Sequence, residues 1–206
     1  EVLSISPGEK TVEVKNHATG EIFTDNYDKL IIATGARAFV PPIKGADSPN
    51  VFTLRNINDM NRIKAFISKN HPKSAVVVGT GMIGIEACEN LRNLGIEVTM
   101  VETLPQVTPM LDTEMSVYVK EHLEKNGITI LTGTSATEVT ANGLVLSDGN
   151  AIRADMILLS AGVRPNTEIA KAAGIELGVA GAIRVDKKMK TNLEDIYACG
   201  DCIELF

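Results

Sequence analysis

The sequence predicts an α/β protein: a parallel sheet flanked by helices, with antiparallel meanders beside it. Three observations carry that expectation. Residues 75–131 alternate short apolar runs with stretches of helical period. A glycine-rich turn separates the first of those runs from the first of those helices. Two further stretches read as short strands broken by turn pairs, and each closes on an apolar run ending in glycine.

The elements follow in order. Val2–Ser6, the Pro7-Gly8 turn and Thr11–Lys15, with Val12 and Val14 alternating, predict a hairpin. Ala18-Thr19-Gly20 is a turn before a third short strand at 21–24. Residues 30–33 are an unbroken apolar run, which suits a strand buried on both faces, and the run ends in Thr34-Gly35. Residues 36–50, with Pro41, Pro42, Gly45 and Pro49, read as a loop. A helix is expected over 58–70, stopped by His71-Pro72. A buried strand at 75–78 leads through the turn at 79–84 into a helix over 82–94, closed by Gly95 at a C-cap position. A strand at 97–101, a helix over 112–125 with Asp112 as N-cap, and a strand at 128–131 complete the alternation. A meander with turns at Asn142-Gly143 and Asp148-Gly149 precedes a last buried strand at 156–160, ending in Ala161-Gly162.

The chain repeats itself. Asp28, Gly35 and Arg37 recur as Asp155, Gly162 and Arg164, each 127 positions on, around matching apolar triplets. A fixed offset over several positions marks two copies of one structural unit. The Gly79 turn opens the second copy, and its counterpart would fall before Glu1 by about fifty residues if the copies share spacing. The chain begins without Met and stops at Phe206 soon after a strand-like run. The sequence is therefore expected to be part of a longer one.

Gly79-Thr80-Gly81-Met82-Ile83-Gly84 has the spacing of a dinucleotide-binding turn, and its context is the required one. It follows a buried strand, opens a helix and leads to a second strand ending in Glu102, 23 residues after Gly79. Gly79 permits the tight turn, Gly81 lets backbone approach a pyrophosphate, and Gly84 lets helix and strand pack closely. The helix start offers unpaired N–H groups to phosphate. Glu102 stands where an acid accepts hydrogen bonds from the adenosine ribose. A 2′-phosphate there would meet a like charge, and no Lys or Arg occurs between Arg92 and Lys120. NADH is thus expected over NADPH. Gly162, at the tip of the last strand, is expected at the carboxyl edge where such sheets bind ligands. Glu86 could face the nicotinamide end or water.

Composition limits the alternatives. With 44% hydrophobic and 22% charged residues, the 206-residue chain can bury a sizeable core. A net charge of −6 argues against a nucleic-acid partner and against adhesion to anionic membranes. No apolar run reaches the roughly 20 residues of a membrane span, and no signal peptide is evident. Three cysteines make no even disulfide framework, so a reducing cytoplasm is expected. Cys199 and Cys202 have C-x-x-C spacing, but no second pair completes a metal site, so no metal is expected. His17, His71 and His122 fall in no catalytic motif, and no catalytic residue is assigned. Cys88 lies on an apolar helix face and reads as core.

Together these residues resemble the pyridine nucleotide–disulfide oxidoreductase family of flavoproteins. Val76 to Ala87 is similar to its NAD fingerprint, Glu86 included. Leu30 to Arg37 and Ile157 to Asn166 resemble its two A-T-G and A-x-G strand ends, and Thr191 to Asp201 its second flavin motif. Ala38 and Glu194 stand where many relatives have Pro, and Cys199 is unusual beside the motif glycine. The resemblance implies a Rossmann-like NAD-binding domain, with a parallel sheet plus β-meander, set within remnants of a second, FAD-type dinucleotide domain. The expected bounds are 1–54 and 181–206 for the FAD-type parts and 55–180 for the NAD-binding domain. It also implies that Thr34, Gly35 and Arg37 sit against FAD, that Asp201 holds the ribityl chain beside Gly200, and that Glu86 lies near the nicotinamide. The expected parent is a homodimer that passes a hydride from NADH to FAD and on to oxygen, a disulfide or a partner protein. Its first flavin turn, redox-active cysteine and dimerisation domain are not in this sequence, so the piece by itself is expected to bind NADH without turnover. Alternatives are an NADH sensor without chemistry, or an electron-transfer subunit for rubredoxin or nitrite reductase.

Overall fold

The computed structural model describes residues 1–204. Leu205 and Phe206, the end of the segment expected over 181–206, lie outside the described residues. In chain order the strands and helices are β1 (Val2–Ser6), β2 (Thr11–Lys15), β3 (Ile22–Asn26), β4 (Leu30–Ile32), β5 (Ala36–Ala38), β6 (Val51–Thr53), α1 (Ile57–Asn70), β7 (Ser74–Val78), α2 (Met82–Asn93) and β8 (Glu97–Glu102). Then come α3 (Thr113–Lys125), β9 (Ile128–Thr132), β10 (Ala136–Thr140), β11 (Gly143–Leu146), β12 (Ala151–Arg153), β13 (Met156–Leu159), β14 (Val163–Pro165), α4 (Glu168–Ala172) and β15 (Ile196–Ala198).

Two compact units divide the chain: residues 1–37 with 163–206, and residues 38–162. These divisions differ from the 54/55 and 180/181 read from the sequence. The reason for the first is β6, which pairs in parallel with β13 and so draws the segment after residue 38 into the second unit.

The second unit is a Rossmann-like layered sandwich. Its sheet has the order β6-β13-β7-β8-β9, parallel throughout. Alternation along β7 explains the layers, because successive side chains point to opposite faces. Ala75 and Val77 pack with Cys88 and Leu91 of α2, Leu123 of α3, and Ile63 and Phe66 of α1. Val76 and Val78 pack with Val139, Leu144 and Leu146 of the β10-β11-β12 meander. Both faces are covered, so β7 and β13 read as unbroken apolar runs. Burial of each such side chain contributes about 1.5–3 kcal/mol. Phe52 meets Phe66 edge to face, ring centres 5.0 Å apart.

The helix ends follow local chemistry. Asn56 caps α1 in a reciprocal box with Asp59, starting the helix one residue before the expected 58. His71 ends it in a left-handed conformation. Asp112 is the N-cap of α3 as expected, though its side chain makes no capping bond. Leu94 is the C-cap of α2, and Gly95 follows it at φ +80°. The expected loop at 36–50 contains β5, which pairs with β14.

The first unit holds an antiparallel β1-β2-β3 meander and a parallel β4-β15 pair. Ile32, Ile196, Ala198, Ile183 and Cys202 form its core. Here the expectation for 30–33 needs correction. Leu30 and Ile32 face that core, but Ile31 is 65% exposed. Within this unit β4 has a buried face on one side only, so its apolar run is not buried on both. Among the described residues, no helix is long and apolar enough to cross a membrane.

Candidate dinucleotide site

The carboxyl ends of β7, β8 and β13 open onto a pocket of about 420 Å³ in the second unit. Its walls include Gly79, Thr80 and Gly81 from the turn, Glu102 and Thr103 after β8, and Ser160, Ala161 and Gly162 after β13. Phe39, Pro41 and Pro109 add an apolar side. Among the described residues, none of those lining it is basic.

Each glycine of the turn has its own reason. Gly79 sits at φ +104°, and a Cβ there would press into the Ser160 carbonyl. A Cβ on Gly84 would strike the Gly79 carbonyl, so that position must be bare for α2 to start against the turn. A Cβ on Gly81 would meet nothing within 4 Å. Gly81 is therefore not required by packing, and it lines the pocket. It is also the N-cap of α2, with no side-chain capping bond. This is the arrangement a pyrophosphate requires: bare backbone and a helix start whose N–H groups no side chain occupies.

Glu102 lines the pocket yet is only 8% exposed. Its Oε2 accepts from the Thr80 N–H at 3.0 Å and from the Thr80 hydroxyl at 2.7 Å. Its Oε1 accepts from the Leu104 N–H at 2.9 Å. The Thr80 hydroxyl and carbonyl in turn accept from the Thr108 N–H, at 3.2 and 3.3 Å. Thr80, expected from the sequence among the cofactor-binding residues of the turn, is thus fully buried and grips the acid. Gly162 lies in the pocket wall, at the strand tip where it was expected.

The remaining expected residues of this unit are elsewhere. Met82 and Ile83 are exposed on the first turn of α2, Gly84 is buried, and none of the three lines the pocket. Glu86 is exposed on α2 and is likewise outside the wall. Cys88 is fully buried, and burial pushes its thiol up to about 12, which leaves it protonated and inert at neutral pH.

In the first unit, the parallel pairing of β4 with β15 brings two separated motifs to one edge. Thr34-Gly35 leaves the end of β4, and Gly200-Asp201 leaves the end of β15. Gly35 at φ +64° and Gly200 at φ +78° each have open space where a Cβ would stand. Both stretches therefore present accessible backbone, as close approach of a flavin cofactor requires. Arg37 instead turns to the protein: its guanidinium bonds Asn166 Oδ1 at 3.0 Å and Glu168 at 2.8 Å. Sequence reasoning missed Asn166. Its N–H donates to the Gly35 carbonyl and its side-chain amide to the Thr34 carbonyl, while its own carbonyl accepts from the Thr34 hydroxyl. The signal was available, since Asn166 closes the strand-end motif Ile157 to Asn166. Cys202 is fully buried and donates to the Ile32 and Cys199 carbonyls, so its thiol belongs to the core.

Comparison with known proteins finds close likenesses over nearly the whole chain. The family described as pyridine nucleotide-disulphide oxidoreductase matches residues 1–205. An NADH oxidase from Methanocaldococcus jannaschii is 42% identical over 190 residues, covering 90% of this chain and 42% of that protein. A coenzyme A disulfide reductase from Staphylococcus aureus is 33% identical, covering 98% of this chain and 45% of its own. The solved structure of reduced CoADR-RHD from Bacillus anthracis superposes with a TM-score of 0.95 at 42% identity, covering 98% of this chain and 37% of that one. The chain therefore spans less than half the length of these relatives.

Proposed function

The chain belongs to the pyridine nucleotide-disulphide oxidoreductase family, and from that premise we propose that residues 38–162 bind NADH in preference to NADPH. We propose further that the protein carrying this chain passes a hydride from NADH to FAD, and on to oxygen, a disulfide or a partner protein. The observation that carries the NADH reading is the pocket itself: bare turn backbone on one wall and the Glu102 carboxylate on another, with no basic side chain among its described lining residues. In this reading the pyrophosphate lies against Gly79 to Gly81 and the first N–H groups of α2. A ribose hydroxyl donates to Glu102, and a 2′-phosphate is repelled by it.

FAD, when bound, would supply the hydride-accepting ring. Thr34, Gly35, Gly200 and Asp201 are the residues proposed to hold it. Arg37 is proposed to act from behind, fixing Asn166 and through it the Thr34-Gly35 backbone. Glu86 is proposed for the nicotinamide end of the nucleotide, by its place in the motif. The acceptor differs between the relatives, one named an NADH oxidase and another a coenzyme A disulfide reductase. Either acceptor class is compatible with the residues of this chain.

Calorimetric titration with NADH and NADPH tests the reading. NADH should bind saturably, and NADPH at least roughly tenfold more weakly, equivalent to about 1.4 kcal/mol. Gly81→Ala should weaken NADH by a similar factor while lowering the melting temperature only slightly, because the added methyl stands on a residue of the pocket wall and touches no protein atom, and Ala is only a poorer helix N-cap than Gly. Equal affinity for both nucleotides would remove Glu102 as the selector. Full binding by the Gly81→Ala protein would remove the turn as the phosphate site.

A further inference from the structure

Thr80 is the middle residue of a turn whose glycines do the contacting, and the proposed function gives it no task. Its surroundings assign one. The side chain is fully buried and its hydroxyl is spoken for on both sides. It accepts from the Thr108 N–H at 3.2 Å, and it donates to Glu102 Oε2 at 2.7 Å. A hydroxyl has one proton, and here it goes to the carboxylate. With the Thr80 N–H on the same oxygen at 3.0 Å, Oε2 has two donors, whereas among the described residues Oε1 has the Leu104 N–H alone. A carboxylate accepts about four hydrogen bonds in all, so with three made the place left to a ligand is on Oε1.

From this arrangement we infer that Thr80 is a specificity-determining positioning residue: its hydroxyl clamps Glu102 in one rotamer, so that the pocket presents a fixed anionic acceptor to an unphosphorylated ribose. The inference rests on the NADH reading above and deepens it. Two physical effects follow from the clamp. Glu102 is ordered before the nucleotide arrives, so less freedom is lost on binding. It also cannot swing aside to relieve repulsion from a 2′-phosphate, so the discrimination is held in the protein and not in the charge alone. The same hydroxyl ties Thr108, which lies at φ +44° in the segment between β8 and α3, to the turn. The acid is thereby gripped from the phosphate turn and from the segment after β8 together.

The test is titration of the full chain, wild type against Thr80→Val and Thr80→Ser, with NADH and NADPH. Valine keeps the shape and removes the hydroxyl; serine keeps the hydroxyl. Loss of one charge-assisted bond should weaken NADH by roughly tenfold in Thr80→Val, with a smaller loss for NADPH. The ratio of the two affinities should therefore narrow, and Thr80→Ser should restore it. A purely structural role would weaken both nucleotides alike and leave the ratio unmoved. If a methyl against the carboxylate prevents folding, Thr80→Ala provides the hydroxyl-free variant. A folded hydroxyl-free variant with the wild-type ratio overturns the inference, as does a Thr80→Ser protein that loses the ratio. A wild type that selects NADH while Thr80→Val also does so refutes the clamp alone. A wild type that binds neither nucleotide refutes the underlying NADH reading, and the clamp with it.

Discussion

Single residues in this protein divide by what their surroundings demand. Gly79 and Gly81 stand two positions apart in one motif, yet a methyl at Gly79 would collide with the Ser160 carbonyl and a methyl at Gly81 would touch nothing. Gly79→Ala should therefore destabilise the fold by more than about 1 kcal/mol, since it adds a steric clash to the cost of a left-handed backbone. Chemical denaturation of the two alanine variants would read the contrast directly. Comparable loss in both would mean that the turn relaxes. Glu102 illustrates the opposite limit of sequence reading. Its position as the acid after the second strand is legible from spacing, but the two bonds from Thr80 are not, because Thr80 reaches it only through the tertiary path of the chain, whereas Leu104 is two residues away. Asn166 is similar: its partners Thr34 and Gly35 lie over 130 residues away in sequence.

Elements are held to one another by a few polar ties as well as by cores. Asp195 precedes β15 in a left-handed conformation and takes Lys10 at 2.6 Å and Lys29 at 3.0 Å, while its carbonyl accepts from the Leu30 N–H that opens β4. The Lys10 hydrogen bond first, and that of Lys29 after it, hold its carboxyl at about 2, below the usual 3.8. A depressed acid contributes stability that is present above its unfolded value and lost as pH falls through its folded value. The register of β4 on β15 should accordingly loosen only as pH drops from about 4 to about 2. The Leu30 amide signal in an acid titration would report it. Asp195→Asn keeps a residue tolerant of positive φ and should abolish that acid step; an unchanged profile would show that the ion pairs contribute nothing, as exposed pairs often do. Asp155 makes the equivalent tie in the other unit, where the Lys73 N–H and then Ser74 hold its carboxyl below the ordinary range.

At the scale of the whole molecule, two units carry separate cores and unequal protection. In residues 38–162 the central strands have partners on both sides and apolar layers on both faces. In the other unit β3 is an edge strand with every residue exposed. Native-state hydrogen exchange should find the amides of Val77 and Leu158 among the slowest and those of β3 among the fastest. Uniform protection across both would contradict two units of different depth. The repeat is a whole-molecule feature as well. A meander precedes both β4 and β13, and Gly35 and Gly162, at matching positions, both have positive φ. Even β5 and β14, which no periodicity revealed, stand 127 positions apart and pair with each other.

What the sequence by itself determined is whatever depends on nearest neighbours along the chain. β1 and β2 lie at the expected bounds, α1 and α2 differ from theirs by one residue, and the turn at 79–84 is where its glycines place it. Period, capping and glycine stereochemistry act over a few residues, so they are readable locally. The family resemblance rests on the same local motifs. Tertiary structure alone decided the rest. It recruited the three-residue β6, just after a proline-rich stretch, into the five-stranded sheet, because pairing with β13 supplies hydrogen bonds that no local pattern announces. And it set Thr80 against Glu102, because the turn and the end of the next strand meet only when β7 and β8 lie side by side.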